Sequence, residues 1–267
     1  MKPYYEDEWV TLYLGDSLEI IPELPDDSLR AVVTDPPFSS GGRRESSRSL
    51  RKSLTRSTDD DDWIAGDAMS TTGFVWTMRE LARMCRPKVI QGGHFLFFID
   101  WRMHGNLSGA LESADLRQHP TLVWDKKHFG MGALFRNQHE WIVHFSKGNP
   151  LEPARRDVGN VLSFPAVRGG EHPTEKPVPL MEKLVTVVAP SGATILDPFA
   201  GSSSTLIAAK HNGIKAIGIE LDERWCEESA RRLSQESFVV PFVDEPFEDT
   251  ALDLDLVSTS SNRETES

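Results

Sequence analysis

The sequence predicts an α/β fold built on a mostly parallel, doubly wound sheet with helices on both faces. Three observations carry this. Short apolar runs alternate with segments of helical periodicity at the spacing of βαβ units. Several of those runs end directly on an acid, at Asp35, Asp197 and Glu220, and ligands of open α/β sheets bind at that strand edge. One run, Ile195-Leu196-Asp197, passes through a glycine-containing turn straight into a helix.

In chain order, residues 11–14 alternate apolar and polar side chains and stop at Gly15-Asp16, as a strand ending in a turn does. Ser17 can cap a short helix through Leu24, after which Pro25-Asp26-Asp27 turns the chain into an apolar strand at 29–33. Beyond 39 apolar residues nearly vanish, and Arg43, Arg44, Arg48, Arg51 and Arg56 stand among serines ahead of the acidic run 59–62. That composition cannot build a core and predicts a mobile loop over 39–72. Helical periodicity then runs through Phe74, Met78, Leu81, Ala82 and Cys85, with Pro87 as its end. Strands are expected at 94–99, 121–124 and 141–145, a helix at 106–116, and irregular chain from 149 to 170.

Thr174 can cap a helix with Pro177 in its first turn and Leu180, Leu184, Val187 and Val188 on its apolar face. A strand at 194–196 ends on Asp197, and a helix follows at about 203–211 with Gly213 just past it. The strand 216–219 ends on Glu220, and Asp222 caps an amphipathic helix at 223–235. Residues 248–267 are acidic and Ser/Thr-rich and read as a disordered tail, which leaves 1–247 as a single domain.

Composition narrows the function. A formal net charge of −12 argues against a protein that coats nucleic acid indiscriminately, but leaves room for a local basic groove. Cys85 and Cys226 lie in helical patterns and the eight histidines lack metal-ligand spacing, so neither a disulfide framework nor a metal is expected. With no signal-like N-terminus and no run long enough to cross a bilayer, the expected location is the cytoplasm.

Two stretches carry chemistry. In Asp35-Pro36-Pro37-Phe38, a carboxylate and a carbonyl freed from ladder pairing can accept both hydrogen bonds of an exocyclic amine while the ring stacks on its base; two prolines remove competing donors. Alone, the stretch also suits a strand that simply ends in a proline turn. In the second stretch, Asp197-Pro198-Phe199-Ala200-Gly201 opens a helix, and Glu220 lies where an acid takes two ribose hydroxyls. A dinucleotide needs three spaced glycines against its pyrophosphate. Here only Gly201 is present, so a nucleoside cofactor without phosphate, S-adenosylmethionine, fits better.

Together with His172-Pro173-Thr174-Glu175-Lys176-Pro177, these motifs resemble the permuted β class of DNA amino-methyltransferases, in which the catalytic motif precedes the cofactor motif and target recognition lies between them. Stretches such as Trp124-Asp125-Lys126 and Arg136-Asn137-Gln138-His139-Glu140-Trp141 are similar to those of phage- and prophage-borne members. The resemblance implies a Rossmann-like methyltransferase fold, S-adenosylmethionine as cofactor, double-stranded DNA as substrate and a homodimer as a common assembly. It places Asp35, Pro36, Pro37 and Phe38 in catalysis. Asp197, Phe199, Gly201 and Ser203 fall in the cofactor turn, Glu220 on the ribose, Asp16 near the adenine amino group, and Thr174 and Lys176 over the methionine end. Ser203 departs from the family turn, which has a second glycine there; a positive φ would strain it.

For DNA, two basic sets compete. Arg43 and Arg44 belong to the loop after the catalytic turn, and Lys126, Lys127, Arg136, Arg155 and Arg156 belong to a target-recognition region at 125–171. Asp at the first catalytic position is usual for adenine N6 enzymes of this family. Transfer to cytosine N4 and a non-catalytic cofactor- or DNA-binding module are the alternative readings.

Overall fold

The computed structural model describes residues 1–37, 69–130, 134–167 and 175–235. Ten strands form one sheet: β1 (Tyr5–Glu6), β2 (Val10–Leu14), β3 (Leu29–Thr34), β4 (Val89–Ile99), β5 (Arg117–Gln118), β6 (Leu122–Asp125), β7 (His139–Ser146), β8 (Val161–Ser163), β9 (Thr194–Asp197) and β10 (Lys215–Glu220). The helices are α1 (Ser17–Ile20), α2 (Thr71–Lys88), α3 (His104–Ser113), α4 (Val178–Val188), α5 (Ser204–His211) and α6 (Glu223–Gln235). Along the sheet the order is β1-β2-β10-β9-β3-β4-β7-β6-β8, with β5 paired to β7.

The central run β2-β10-β9-β3-β4 is parallel throughout, as expected. β7 enters antiparallel to β4, and β6 is antiparallel to β7, so β6 again points the same way as β4. Alternation along the strands sorts side chains between two cores. On β3, Ala31 and Val33 join one core and Leu29 and Val32 the other; on β4, Leu96 and Phe98 oppose Phe95, Phe97 and Ile99. α4, α5 and α6 cover the first face, and α1, α2 and α3 the second. The winding therefore reverses between β3 and β9: β3 continues through α2 to β4, whereas β9 continues through α5 to β10 on the other side. Such a switch point opens a crevice at the carboxyl ends of the strands.

The structure corrects several boundaries. Asp16, not Ser17, caps α1, accepting from the Leu18 amide at 2.8 Å, while the Ser17 hydroxyl donates to the Pro198 carbonyl and fastens β2's end to the cofactor turn. α2 continues through Pro87 to Lys88, because a proline near a helix end forfeits only one amide. α4 starts at Val178 with Pro177 as its N-cap residue and no side-chain cap; Thr174, the expected cap, lies outside the described residues. The stretch read as irregular contains β8, whose neighbour Phe164 accepts from Trp124 Nε1 at 2.8 Å. Trp76 on α2 and Trp101, just past the end of β4, are exposed. The loop expected over 39–72 falls outside the described residues as far as 68, as does the 248–267 tail.

Two glycine-related positions set local geometry. β4 starts at Val89, ahead of the strand expected at 94–99, and contains the Gly92-Gly93 pair, where Arg30 alone faces residues 90–93 and the register jumps. A Cβ on Gly93 would sit 2.7 Å from the Arg30 carbonyl oxygen and 2.5 Å from Val89 Cγ1. At the start of α5, Ser203 adopts the left-handed conformation, φ 62° and ψ 24°, fully buried and with its Oγ unpartnered among the described residues. Gly93→Ala is expected to lower unfolding free energy by about 1–3 kcal/mol, since backbone cannot step aside. Ser203→Gly is expected to raise it by about 1 kcal/mol, through relief of left-handed strain and of a buried hydroxyl. Chemical denaturation of the purified variants measures both.

Candidate active site

All five central strands point their carboxyl ends to one edge, and the acids of the sequence motifs gather there: Asp16 after β2, Glu220 ending β10, Asp197 ending β9 and Asp35 after β3. Because β7 runs the other way, its first residues, His139 and Glu140, reach the same edge, as does Lys126 after the end of β6. At the switch point the Thr34 hydroxyl donates to Asp197 Oδ1 at 2.6 Å and joins the catalytic turn to the cofactor turn.

Around Asp35 the charges alternate. Lys176 Nζ donates to Asp35 Oδ2 and lies 3.6 Å from Glu140 Oε2; Lys126 Nζ donates to Glu140 Oε1. The series Lys126, Glu140, Lys176, Asp35 is neutral in sum. Its floor is aromatic, with Lys176 Nζ 5.2 Å from the Phe98 ring centre and Lys126 Nζ 4.9 Å from that of Trp124. Burial raises Asp35 to a pKa of about 6, even against the pull of Lys176, and Glu140 adds to the rise. Burial works against charge on Glu140 and Lys176 as well. Lys176 and Lys126 outweigh it and keep Glu140 low, while Asp35 and Glu140 outweigh it and keep Lys176 high. Asp35 Oδ1 is buried without a hydrogen-bond partner among the described residues, an acceptor whose hydrogen bonding is incomplete. Pro36 and Pro37 follow it in the chain, and neither brings an N–H to compete. Phe38 lies outside the described residues.

In the cofactor turn, Asp197 is 2% exposed and accepts from Thr34 and from the Phe199 amide at 3.1 Å. Burial nevertheless lifts its carboxyl to about 7. Glu220 Oε2 accepts from the Gly201 amide at 2.8 Å and Oε1 from the Asp222 amide at 2.9 Å; burial raises this acid too. Each Glu220 oxygen keeps a second lone pair, the pattern needed to receive two adjacent hydroxyls. Asp16 spends Oδ1 on its helix cap and keeps Oδ2. Four carboxylates converging on one crevice repel a pyrophosphate and suit a cationic, sugar-bearing molecule.

The sequence-derived positions separate into groups. Asp16, Asp35, Pro36, Pro37, Lys176, Asp197, Phe199, Gly201, Ser203 and Glu220 come to the crevice or its walls. Lys176, assigned by resemblance to the methionine end, is hydrogen bonded to Asp35. Lys126 and Lys127 line a cleft of about 610 Å³ with His128, Gly130, Asn137, His139, Pro165 and Ala166, contiguous with the charged series through Lys126. Arg136 lies close by, donating to the Gly130 carbonyl at 2.7 Å. Arg155 and Arg156 are not brought there: the neighbouring Glu152 carbonyl accepts from Arg30 near the start of β3, Leu151 bonds Gly92, and Ala154 bonds Val187, all at the opposite edge. Arg43 and Arg44, like Thr174, fall outside the described residues. Glu140 was missed as a site residue, because its approach to Asp35 depends on the reversed direction of β7, which no local pattern encodes.

A family model described as a DNA methylase, N6_N4_Mtase, matches residues 29–231. The DNA adenine methyltransferase YhdJ of Escherichia coli strain K12 is 26% identical over 257 residues, covering 86% of this chain and 84% of that protein. Among solved structures, the M1.HpyAVI–SAM complex matches with a TM-score of 0.61 at 21% identity, over 84% of this chain and 99% of that one. The cytosine-N4-specific PvuII DNA methyltransferase matches with a TM-score of 0.68 at 17% identity, over 92% and 90%. These structures share the fold, a mixed sheet flanked by helices of the Rossmann-like methyltransferase kind. Since the matched span 29–231 contains both the Asp35 and the Asp197 turns and most of the chain between its first and last strands, the chain belongs to the N6/N4 DNA methylase family.

Proposed function

We propose that the chain transfers a methyl group from S-adenosylmethionine to the exocyclic N6 of an adenine flipped out of duplex DNA. The observation that carries this reading is Asp35 Oδ1 at the switch point, buried and without a hydrogen-bond partner among the described residues, an acceptor that an amine donor would complete. An exocyclic amine is a weak nucleophile because its lone pair is delocalised into the ring. In this reading Asp35 Oδ1 and the Pro36 carbonyl accept its two N–H bonds, which frees the lone pair and lets Asp35 take the displaced proton. A base inside a duplex cannot reach such a crevice and must leave the stack. Glu220 is suited to the ribose hydroxyls, Asp16 to the adenine amino group, and Gly201 and Phe199 to the body of the cofactor; S-adenosylmethionine supplies an electrophilic methyl on a sulfonium.

The Asp35 turn precedes the Asp197 turn in the chain, which supports the permuted β-class order, and the middle motifs support kinship with phage-borne enzymes. The cleft at Lys126, Lys127 and His139 supports 125–171 as the target-recognition region of a single 1–247 domain, with Arg136 at its rim. Among the described residues no helix is long and apolar enough to cross a membrane; an enzyme modifying DNA would act in the cytoplasm, and a homodimer is the assembly we expect. Cytosine N4 is the second reading, favoured by the likeness to the PvuII enzyme and by the fact that Asp35 Oδ1 accepts from either amine.

Incubation with unmethylated duplex DNA and labelled S-adenosylmethionine, followed by nucleoside mass spectrometry, is expected to yield N6-methyladenine; N4-methylcytosine alone would move the assignment to the second reading. Asp35→Ala should lower transfer by roughly 10²-fold or more while cofactor affinity persists. The acceptor must be ionised. Transfer is therefore expected to be full above neutrality and to fall as pH drops through about 6, the raised Asp35 value, in a pH–rate profile.

A further inference from the structure

Glu140 lies outside the family's catalytic and cofactor motifs. It is buried at the amino end of β7, with 16% of its side chain exposed, and its Oε2 makes no hydrogen bond among the described residues. A carboxylate in that position is unfavourable unless neighbouring charge supports it. Two ammonium groups do so, Lys126 by direct hydrogen bond and Lys176 at 3.6 Å. Lys176 is thus shared between two acids that arrive from different elements, Asp35 after β3 and Glu140 on β7. Among the described residues, the groups facing Asp35 are Lys176 from the segment before α4, Glu140 from β7, Lys126 after β6 and Asp197 from β9.

We propose that Glu140, backed by Lys126, is a positioning residue that holds Lys176 between two carboxylates, so that Lys176 fixes Asp35 through Oδ2 without neutralising the acceptor at Oδ1. With both lysines and both acids in place, the series is neutral. Without Glu140, two ammonium groups face one carboxylate, and Asp35 becomes a poorer acceptor for an amine and a poorer base for its proton. Without Lys176, two carboxylates face each other across Lys126, and Asp35 picks up a proton too readily. The two losses act on the same acid with opposite sign. This role rests on the reading of Asp35 as the acceptor of the target amine.

The test is the ionisation of Asp35 followed twice, by the acid limb of the pH–rate profile for methyl transfer and by the carboxyl ¹³C shift of Asp35 in labelled full-length protein. Glu140→Gln is expected to move both midpoints down by about one pH unit or more, and Lys176→Met to move them up by a similar amount. Glu140→Asp, which keeps the charge, should return the midpoint toward that of the parent. Circular dichroism and calorimetric titration of S-adenosylmethionine report whether each variant is folded; if Glu140→Gln is not, the comparison of Lys176→Met and Glu140→Asp with the parent carries the test. Midpoints that stay in place, or that move in the same direction in Glu140→Gln and Lys176→Met, overturn the proposal. A parent protein that transfers no methyl to DNA would count against the proposed function alone, because the ¹³C titration still reads the coupling.

Discussion

The ion pair between Lys176 and Asp35 joins parts of the chain that are 141 positions apart and makes the crevice a single site. A carboxylate at the carboxyl edge of a packed sheet loses hydration on most sides, and the loss must be met by charge and hydrogen bonds or the group protonates. Asp35 meets it only in part. Lys176 takes one oxygen, and the other is left without a partner among the described residues, so the acid is held near the boundary between its two protonation states. A fully paired Asp35 would be more stable and useless as an acceptor. Local under-satisfaction of this kind is expected where a substrate completes the hydrogen bonding.

The fold was legible in the sequence to the extent that its determinants are local. The apolar runs of β3 and β4, the acids closing β3, β9 and β10, and the glycine beyond α5 are patterns a reader can count, and the sheet uses them as counted. What escaped depends on partners. The two-residue strands β1 and β5 and the three-residue β8 have too few side chains to show a period and exist because a neighbour offers a ladder. The irregular start of β4 was hidden for the same reason, since Gly92 and Gly93 look like a turn until Arg30 and Asn149 are seen crowding them.

The site divides in the same way. Asp35, Asp197 and Glu220 announce themselves as acids at strand ends. The left-handed Ser203 follows from the turn that must place Gly201 under Glu220. Lys176 could be placed near the cofactor by motif, but not against Asp35, because the motif says nothing of which side of the crevice it enters. Glu140 stands in the Arg136–Trp141 stretch without a site role of its own in the sequence, and its neighbour Trp141 packs against the core. The reversed direction of β7 turns the same residue toward the catalytic edge.

The acidic total then bears on how DNA is held. Among the described residues, the cations at and beside the cleft are engaged: Lys126 with Glu140, Lys127 3.5 Å from Asp125, and Arg136 with a backbone carbonyl and over the Phe129 ring. In a chain of net charge −12, such shared cations release few counterions when they meet phosphate, so unspecific attraction is weak. Discrimination must come instead from contacts that exist only at the right site. On the proposed function, the cleft lined by Asn137, His139 and Gly130 would offer donors and acceptors to base edges, and Asp35 Oδ1, without a partner among the described residues, would take an amine delivered into the crevice. Holding the lysines in ion pairs thus favours a protein that searches DNA loosely and commits where the target base fits.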